Sequence, residues 1–321
     1  MKQTILFNTR ILLLLLFLLG GVQAGHAVVA DPTPHPVKQP DGTFLTVRLH
    51  GDEFYHFNTT IDGYTILKSP NGGFVYARQE GERVVAGTLL AHDAAQRTAA
   101  EKAVLETTPK YLAPSTAGSG VTRAAAERMN STPLKAGISS TEFRGIIILA
   151  QFSDNPFTGA DCANEYTAMV NESGYANNGA TGSVHDYFYA TSMGVFAPHF
   201  DVVGPVTIDY KQTDAKGSEN GQALVRDACI KADELVNFAD YDLNGDGEVD
   251  MIYVLFAGVG SNVSGNNPDY VWPHAYALNN AAVQLDGVYC NRYACSTELT
   301  GAQALPRMDG IGTICHEFSH V

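Results

Sequence analysis

The sequence predicts an α+β protein in two units, a β-rich one followed by one that mixes strands and helices. Three observations predict it. After a short leader, aromatic and β-branched runs alternate with Asp-Gly and Asn-Gly turn signals. Beyond residue 144, long apolar runs alternate with an amphipathic helical pattern. Between the two, residues 94–136 turn to Ala, Thr, Lys, Arg and Glu, broken by Pro109, Pro114 and the stretch from Ser115 to Gly120. That composition suits a connection rather than a core.

The order along the chain begins with a leader. Lys2 and Arg10 make a positive start, and Ile11 to Leu19 is unbroken apolar sequence. Gly20, Gly21, Val22, Gln23 and Ala24 follow, with small or apolar residues placed for a cut after Ala24. This is the layout of a secretory signal peptide over residues 1–24, and it predicts a secreted, extracellular product. The apolar run is well short of the roughly 20 residues that a spanning helix needs. No later run is long and apolar enough to span, so membrane association is not expected once the leader is removed. The 321-residue chain carries a formal net charge of -14. So acidic a surface repels nucleic-acid backbones and anionic lipid, which argues against nucleic-acid partners.

The first unit is expected over residues 25–110. Asp31 to Pro40 is proline-rich and reads as an extended lead-in. Strand-like runs follow at Thr43–Leu49, Phe54–Phe57, Tyr64–Leu67 and Phe74–Ala77. Asp41-Gly42, Asp62-Gly63 and Asn71-Gly72-Gly73 supply the turns between them. A linker is placed at 111–140.

The second unit, 141–321, opens with Ile146–Phe152, a nearly continuous apolar run of the kind that is buried on both faces. Val184–Tyr189 reads as a short helix and Phe200–Ile208 as a strand. Asn220–Phe238 reads as an amphipathic helix, with Leu224, Ala228, Cys229, Ala232, Leu235 and Val236 on helical spacing. Val249–Ala257 is a second buried strand, closed by Gly258.

The sharpest chemical signal is His316-Glu317-Phe318-Ser319-His320. Helical positions four apart share a face, so His316 and His320 can aim ring nitrogens at one Zn²⁺. Glu317 then stands beside the open position as general base to a water. Ile311, Ile314, Cys315 and Phe318 fall where a core-facing side would be, and Asp309 or Thr313 is placed to cap the helix start. Isolated His185, His199 and His274 are expected to be structural. Trp272-Pro273-His274 is placed either to line a cleft or to pack. Cys315 sits next to His316, but adjacent helical side chains point about 100° apart, which suits a thiol protease poorly.

A second signal runs from Asp242 to Asp250. Asp242, Asn244 and Asp246 alternate, Gly247 stands sixth and Asp250 ninth, as in the first part of an EF-hand-type loop for Ca²⁺. The twelfth position is Tyr253, so the usual bidentate glutamate is missing. An ordinary Asp/Asn/Gly turn explains the same residues. If calcium binds, its expected role is structural. The five cysteines are Cys162, Cys229, Cys290, Cys295 and Cys315. Cys290 and Cys295 are near enough in sequence to bridge a short loop, although spacing alone does not pair them.

Taken in order, several segments resemble the immune inhibitor A family of secreted bacterial metalloproteases. They are Gly182-Ser183-Val184-His185-Asp186-Tyr187-Phe188-Tyr189 with Ser192-Met193-Gly194, then Phe200-Asp201-Val202-Val203-Gly204-Pro205. Asp242 to Asp250 follows, with Ala257-Gly258 and Trp272-Pro273-His274. Gly310-Ile311-Gly312-Thr313 leading into His316–His320 closes the set. The resemblance spans about residues 144–321, and the first unit resembles, less specifically, the β-rich propeptide of such enzymes. It implies a zincin-like catalytic domain, cleavage of protein or peptide substrates outside the cell, His316 and His320 as zinc ligands, and Glu317 as general base. Ser319 departs from the family's usual glycine. The family's third zinc ligand lies downstream of the helix, and this sequence stops at Val321. The expectation is therefore a protease precursor truncated at its motif and inactive in this form. The alternative expectation is a secreted, calcium-stabilised binding or adhesion protein without catalysis. The first unit has no cysteine, so latency through a cysteine on zinc is excluded and steric cover of the cleft is expected instead.

Overall fold

The computed structural model describes residues 30–52, 55–70, 72–81, 83–113, 143–215, 221–264, 269–301 and 306–320. The leader at 1–24 and nearly all of the linker lie outside these residues. Among the described residues the fold is α+β, with two six-stranded sheets, a small two-stranded one and five α-helices. No helix among them is long and apolar enough to cross a membrane.

The first sheet is an antiparallel meander in sequence order: β1 (His35–Lys38), β2 (Phe44–Gly51), β3 (His56–Thr60), β4 (Thr65–Lys68), β5 (Phe74–Glu80) and β6 (Arg83–Leu90). Period-2 alternation sets its faces. Leu45, Val47 and Leu49 of β2 are fully buried, while Phe44 between turn and strand stays exposed. Asp62-Gly63 makes the β3–β4 turn, with Gly63 N donating to Thr60 O. Gly63 has φ +94°, and a Cβ there would come within 2.8 Å of the Tyr111 ring, so the turn tolerates only glycine. The strands β1 and β6 were not expected. Proline in β1 made it read as lead-in, and Gly87 interrupts the pattern of β6.

Helix α1 (Ala99–Leu105) falls within the 25–110 bounds expected for this unit, in the stretch whose composition reads as a connection. A reciprocal capping box of Thr98 and Glu101 starts it. The buried Glu101 carboxylate also accepts from Tyr76 Oη at 3.1 Å and contacts His92 Nδ1 at 2.9 Å. Arg97 forks onto both oxygens of Asp62 at 2.6 Å and lies over the rings of Tyr64 and Tyr76. Leu112 O then accepts from Thr65 Oγ1, tying the chain to the sheet as far as that residue.

The second sheet runs β10 (His274–Ala277), β13 (Arg292–Thr300), β9 (Ile252–Val259), β7 (Arg144–Phe152), β8 (His199–Ile208), with β14 (Arg307–Met308) also on β13. Strands β8, β7, β9 and β13 are parallel, and β10 and β14 run antiparallel to β13. Central β7 explains why its sequence is apolar at nearly every position. Ile146, Ile148 and Ala150 face one helical layer, Ile147 and Leu149 the other, and all are fully buried. The first layer holds α4 (Gly221–Ala232) and the hairpin of β11 (Val283–Leu285) and β12 (Val288–Cys290). The second holds α2 (Cys162–Asn171), α3 (Val184–Thr191) and α5 (Ile311–Phe318).

Two boundaries differ from expectation for local reasons. Helix α4 stops at Ala232, because Leu235 N turns back onto Ala232 O and Asn237 caps a following 3-10 turn. Leu235 is consequently exposed. Strand β9 begins at Ile252 rather than Val249, because Val249 N is already bonded to Tyr289 O.

The two units touch. Ala30, Leu49 and Trp272 form one buried cluster, and Trp272 stacks on His56 with ring centroids 4.3 Å apart. Asp31 N donates to Asn262 O at 3.0 Å.

Candidate metal centre

Helix α5 carries the His-Glu-His motif, and its packing sets where that motif points. Its N-cap is Gly310, whose backbone is extended and which has no side chain to cap the helix. Asp309, one residue earlier, accepts from Gly310 N at 2.9 Å and bonds the Thr313 side chain. Both residues singled out as caps thus brace the helix start without occupying the cap position. Burial pushes the Asp309 carboxyl above its ordinary range, outweighing those hydrogen bonds.

The buried side of α5 is Ile314, Cys315 and Phe318, with Ile311 packed partly against it, as the spacing predicts. Phe318 anchors the helix in an aromatic cluster with Phe188, Phe200, Phe196 and Phe143. The edge-on contact to Phe188, at 4.9 Å between centroids, is the tightest of these. With that side fixed, His316 from the helix and His320 from the turn that follows it project together. Their Nε2 atoms are 3.1 Å apart, and the rings stand at 79°.

That separation fits a shared ion. Two nitrogens on one tetrahedral zinc at roughly 2.0–2.1 Å are about 3.3 Å from each other. Ligand atoms of His316, Glu317 and His320 all lie within 4.8 Å of one another. Among the described residues this is the one group of three or more His, Cys, Asp or Glu side chains so gathered. Burial, and then the neighbouring His316, lower His320 to about 4, so its ring is neutral and able to offer a lone pair near neutral pH. Glu317 is fully buried, and its charge is felt by Tyr253 on β9 and Cys295 on β13. The carboxylate therefore lies on the sheet side of the pair.

His316 borders a cavity of about 490 Å³. Arg307, Thr313, Asn262, Asp31 and Thr33 also line it. The motif was readable from one stretch of sequence. These wall residues were not, because they come from four separate segments that only the fold joins. Asp31 and Thr33 come from the first unit.

The acidic loop folds on itself. Asp242 accepts from Asp246 N at 3.0 Å and Gly247 N at 2.9 Å, and Asp246 accepts from Glu248 N. Asp250 accepts from Leu243 N and Asn244 Nδ2, each at 2.6 Å. Burial raises the Asp250 pKa, and the charges of Asp246 and Asp242 add to the rise. A backbone bond from Tyr289 N to Gly247 O pins the loop to β12. The Asp242, Asp246 and Asp250 carboxylates thus accept from the turn's own amides and from the Asn244 side chain, whose buried Oδ1 has no hydrogen-bond partner among the described residues.

The remaining histidines stand apart from the motif. His185 Nδ1 lies 2.8 Å from Pro198 O, His199 is 3.9 Å from Asp201, and buried His274 sits between Trp272 O and Tyr293 Oη. Trp272 packs, fully buried, and does not line the cleft. Cys315 is buried, and burial pushes its thiol up to about 12, which leaves it inert as a nucleophile. Compared with known proteins, the chain matches no family model and no curated protein.

Proposed function

We propose that this chain is the precursor of a secreted zinc endopeptidase with a zincin-like catalytic domain of the immune inhibitor A kind. The observation that carries the reading is the convergence of His316 and His320 at 3.1 Å with Glu317 within reach of the same point. Bound there, zinc supplies a Lewis acid that polarises a peptide carbonyl and acidifies a water.

The chain's own residues do the rest. His316 and His320 hold the ion as neutral imidazoles, and a catalytic site takes a third protein ligand besides. Glu317 takes a proton from the attacking water as that oxygen adds to the carbonyl carbon. The same carboxyl returns the proton to the amine as the C–N bond breaks. The cavity beside His316 receives the peptide. In the precursor, Asp31 and Thr33 occupy part of its wall, which supports latency by steric cover.

The test is Glu317→Gln in a chain that carries a third ligand. The expected result is unchanged zinc content with casein hydrolysis reduced about 10²–10⁴-fold, the range for loss of a general base. Chelation should abolish the parental activity. Full hydrolysis by the variant, or a protein that takes up no zinc, would sink the reading and leave a non-catalytic binding protein as its replacement. In the 321-residue chain, His316→Ala or His320→Ala should abolish 1:1 zinc uptake, read by metal analysis after gel filtration.

A further inference from the structure

The layer opposite the candidate metal centre holds two thiols in contact. Cys229 lies on α4 and Cys290 ends β12, and both are fully buried in the same core. The Cys229 thiol lies against that of Cys290, and both are free thiols in this structure. The hairpin geometry explains the meeting. Val283 of β11 stands opposite Cys290, and β11 packs against α4, so the hairpin's end is delivered to the helix.

The other thiols are placed elsewhere. Cys162 and Cys315 lie in the opposite layer, across the sheet. Cys295 shares the core with the pair, but its Sγ is directed to His274 Nδ1 at 3.5 Å. The short-loop pairing of Cys290 with Cys295 suggested by sequence proximity is not the contact that the fold makes.

We infer that Cys229 and Cys290 are a disulfide pair that staples α4 to the β11–β12 hairpin. The step needs a disulfide oxidant, such as oxidised glutathione. One cysteine thiolate attacks a glutathione sulfur and releases one glutathione thiolate. The second cysteine thiolate attacks the mixed disulfide at the protein's sulfur and releases the other glutathione. The pair loses two electrons and two protons, and the oxidant becomes two thiols. Because neither sulfur is exposed in the folded chain, the exchange takes place during folding, and the finished bond is shielded from soluble reductant. The neighbouring Cys290 thiol and then burial raise the Cys229 pKa well above its ordinary value, so this thiol stays protonated in the native state.

The bond closes a loop of about 60 residues that contains the acidic turn and strand β9. A closure of that length raises the melting temperature by roughly 10 °C in a protein of this size. The inference stands independently of the protease reading.

The experiment refolds the reduced full chain in a glutathione redox buffer, alkylates remaining thiols, and maps peptides without reduction. The expected map has one linked pair, Cys229 with Cys290, and alkylated Cys162, Cys295 and Cys315. The oxidised protein should melt roughly 10 °C above a sample refolded in reductant. Recovery of Cys229 and Cys290 both alkylated from folded protein would overturn the inference, as would a Cys290–Cys295 link. The mapping is done on the unsubstituted chain, so it is decisive even if Cys229→Ser fails to fold.

Discussion

Phe318 decides where the two histidines point. It sits between Glu317 and Ser319 and is 8% exposed, wedged among four phenylalanines from α3, β8 and the segments beside them. Its loss frees the helix to roll and separates the imidazoles from their shared focus. Phe318→Ala is expected to destabilise the second unit by about 3–5 kcal/mol, the usual cost of truncating a buried aromatic. Phe318→Leu should cost less and keep zinc uptake. Chemical denaturation and metal analysis measure both, and equal zinc affinity in a folded Phe318→Ala protein would refute the positioning role. At this scale the sequence is most informative. His316, Glu317 and His320 are legible because a helix fixes their relation within one turn, without help from the rest of the chain. The acidic loop shows the limit. Its alternating oxygens satisfy a calcium pattern and an amide-capped turn equally well, and only coordinates reveal that Asp242, Asp246 and Asp250 already accept from backbone N–H groups.

Elements were legible where one physical pattern dominated. The apolar run of β7 and the alternation of β2 follow directly from burial on two faces and on one. Strands whose residues serve several partners were not, and β6 and β10 to β14 fall in this class. β6, β10 and β14 depend on β5 and β13 offering hydrogen-bonding edges, β13 on β9, and β11 and β12 on each other. Helix α1 was hidden in a stretch that reads as linker, and it is held by the Glu101 carboxylate as well as by Leu105, which is buried in the first unit's core. His92 is the centre of that attachment, with Asp41 on one ring nitrogen and Glu101 on the other, each at 2.9 Å. Burial by itself would lower the His92 pKa, but the hydrogen bonds to Asp41 and Glu101 outweigh it and raise the value above 6.5. A raised folded-state pKa stabilises fully below the unfolded value and is lost as pH climbs through the folded one. The first unit should therefore weaken on going from pH 6 upward through the raised His92 value, and His92→Gln should flatten that dependence. Asp62 has the opposite sign. Its hydrogen bonds to Arg97 outweigh burial and hold it at about 2, so its contribution is present above 3.8 and is lost as pH falls toward 2. Thermal melts between pH 3 and 9 distinguish the two arms. A first unit whose stability kept rising above pH 7 would contradict the assignment to His92.

For the whole molecule, the question is what the first sheet does to the second unit, and Trp272 gives a direct way to ask. It is the single tryptophan of the chain, it belongs to the second unit, and the first unit buries it. His56 stacks on its face, Leu49 and Ala30 pack beside it, and Asp31 N anchors the same segment to Asn262 O. The segment from Ala30 to Thr33 thereby runs from the tryptophan to the wall of the cavity next to His316. Undocking the first sheet must do two things together: expose the indole to water and widen the entrance beside His316. Cutting the chain within residues 111–140 with a protease of known specificity should leave the sheet docked at first, with blue, buried-type emission from Trp272. Dilution or mild denaturant should then shift the emission to the red as the first unit dissociates. A labelled hydroxamate, a ligand for protein-bound zinc, should gain access to the zinc-loaded second unit over the same transition. His56→Ala removes the stacked ring without touching the cavity wall, and it should move both transitions to lower denaturant by the same amount. The double readout separates cover from simple stability. If hydroxamate binds the docked, blue-emitting protein as well as the dissociated one, the first sheet does not cover the site. In that case Asp31 and Thr33 border the cavity without closing it.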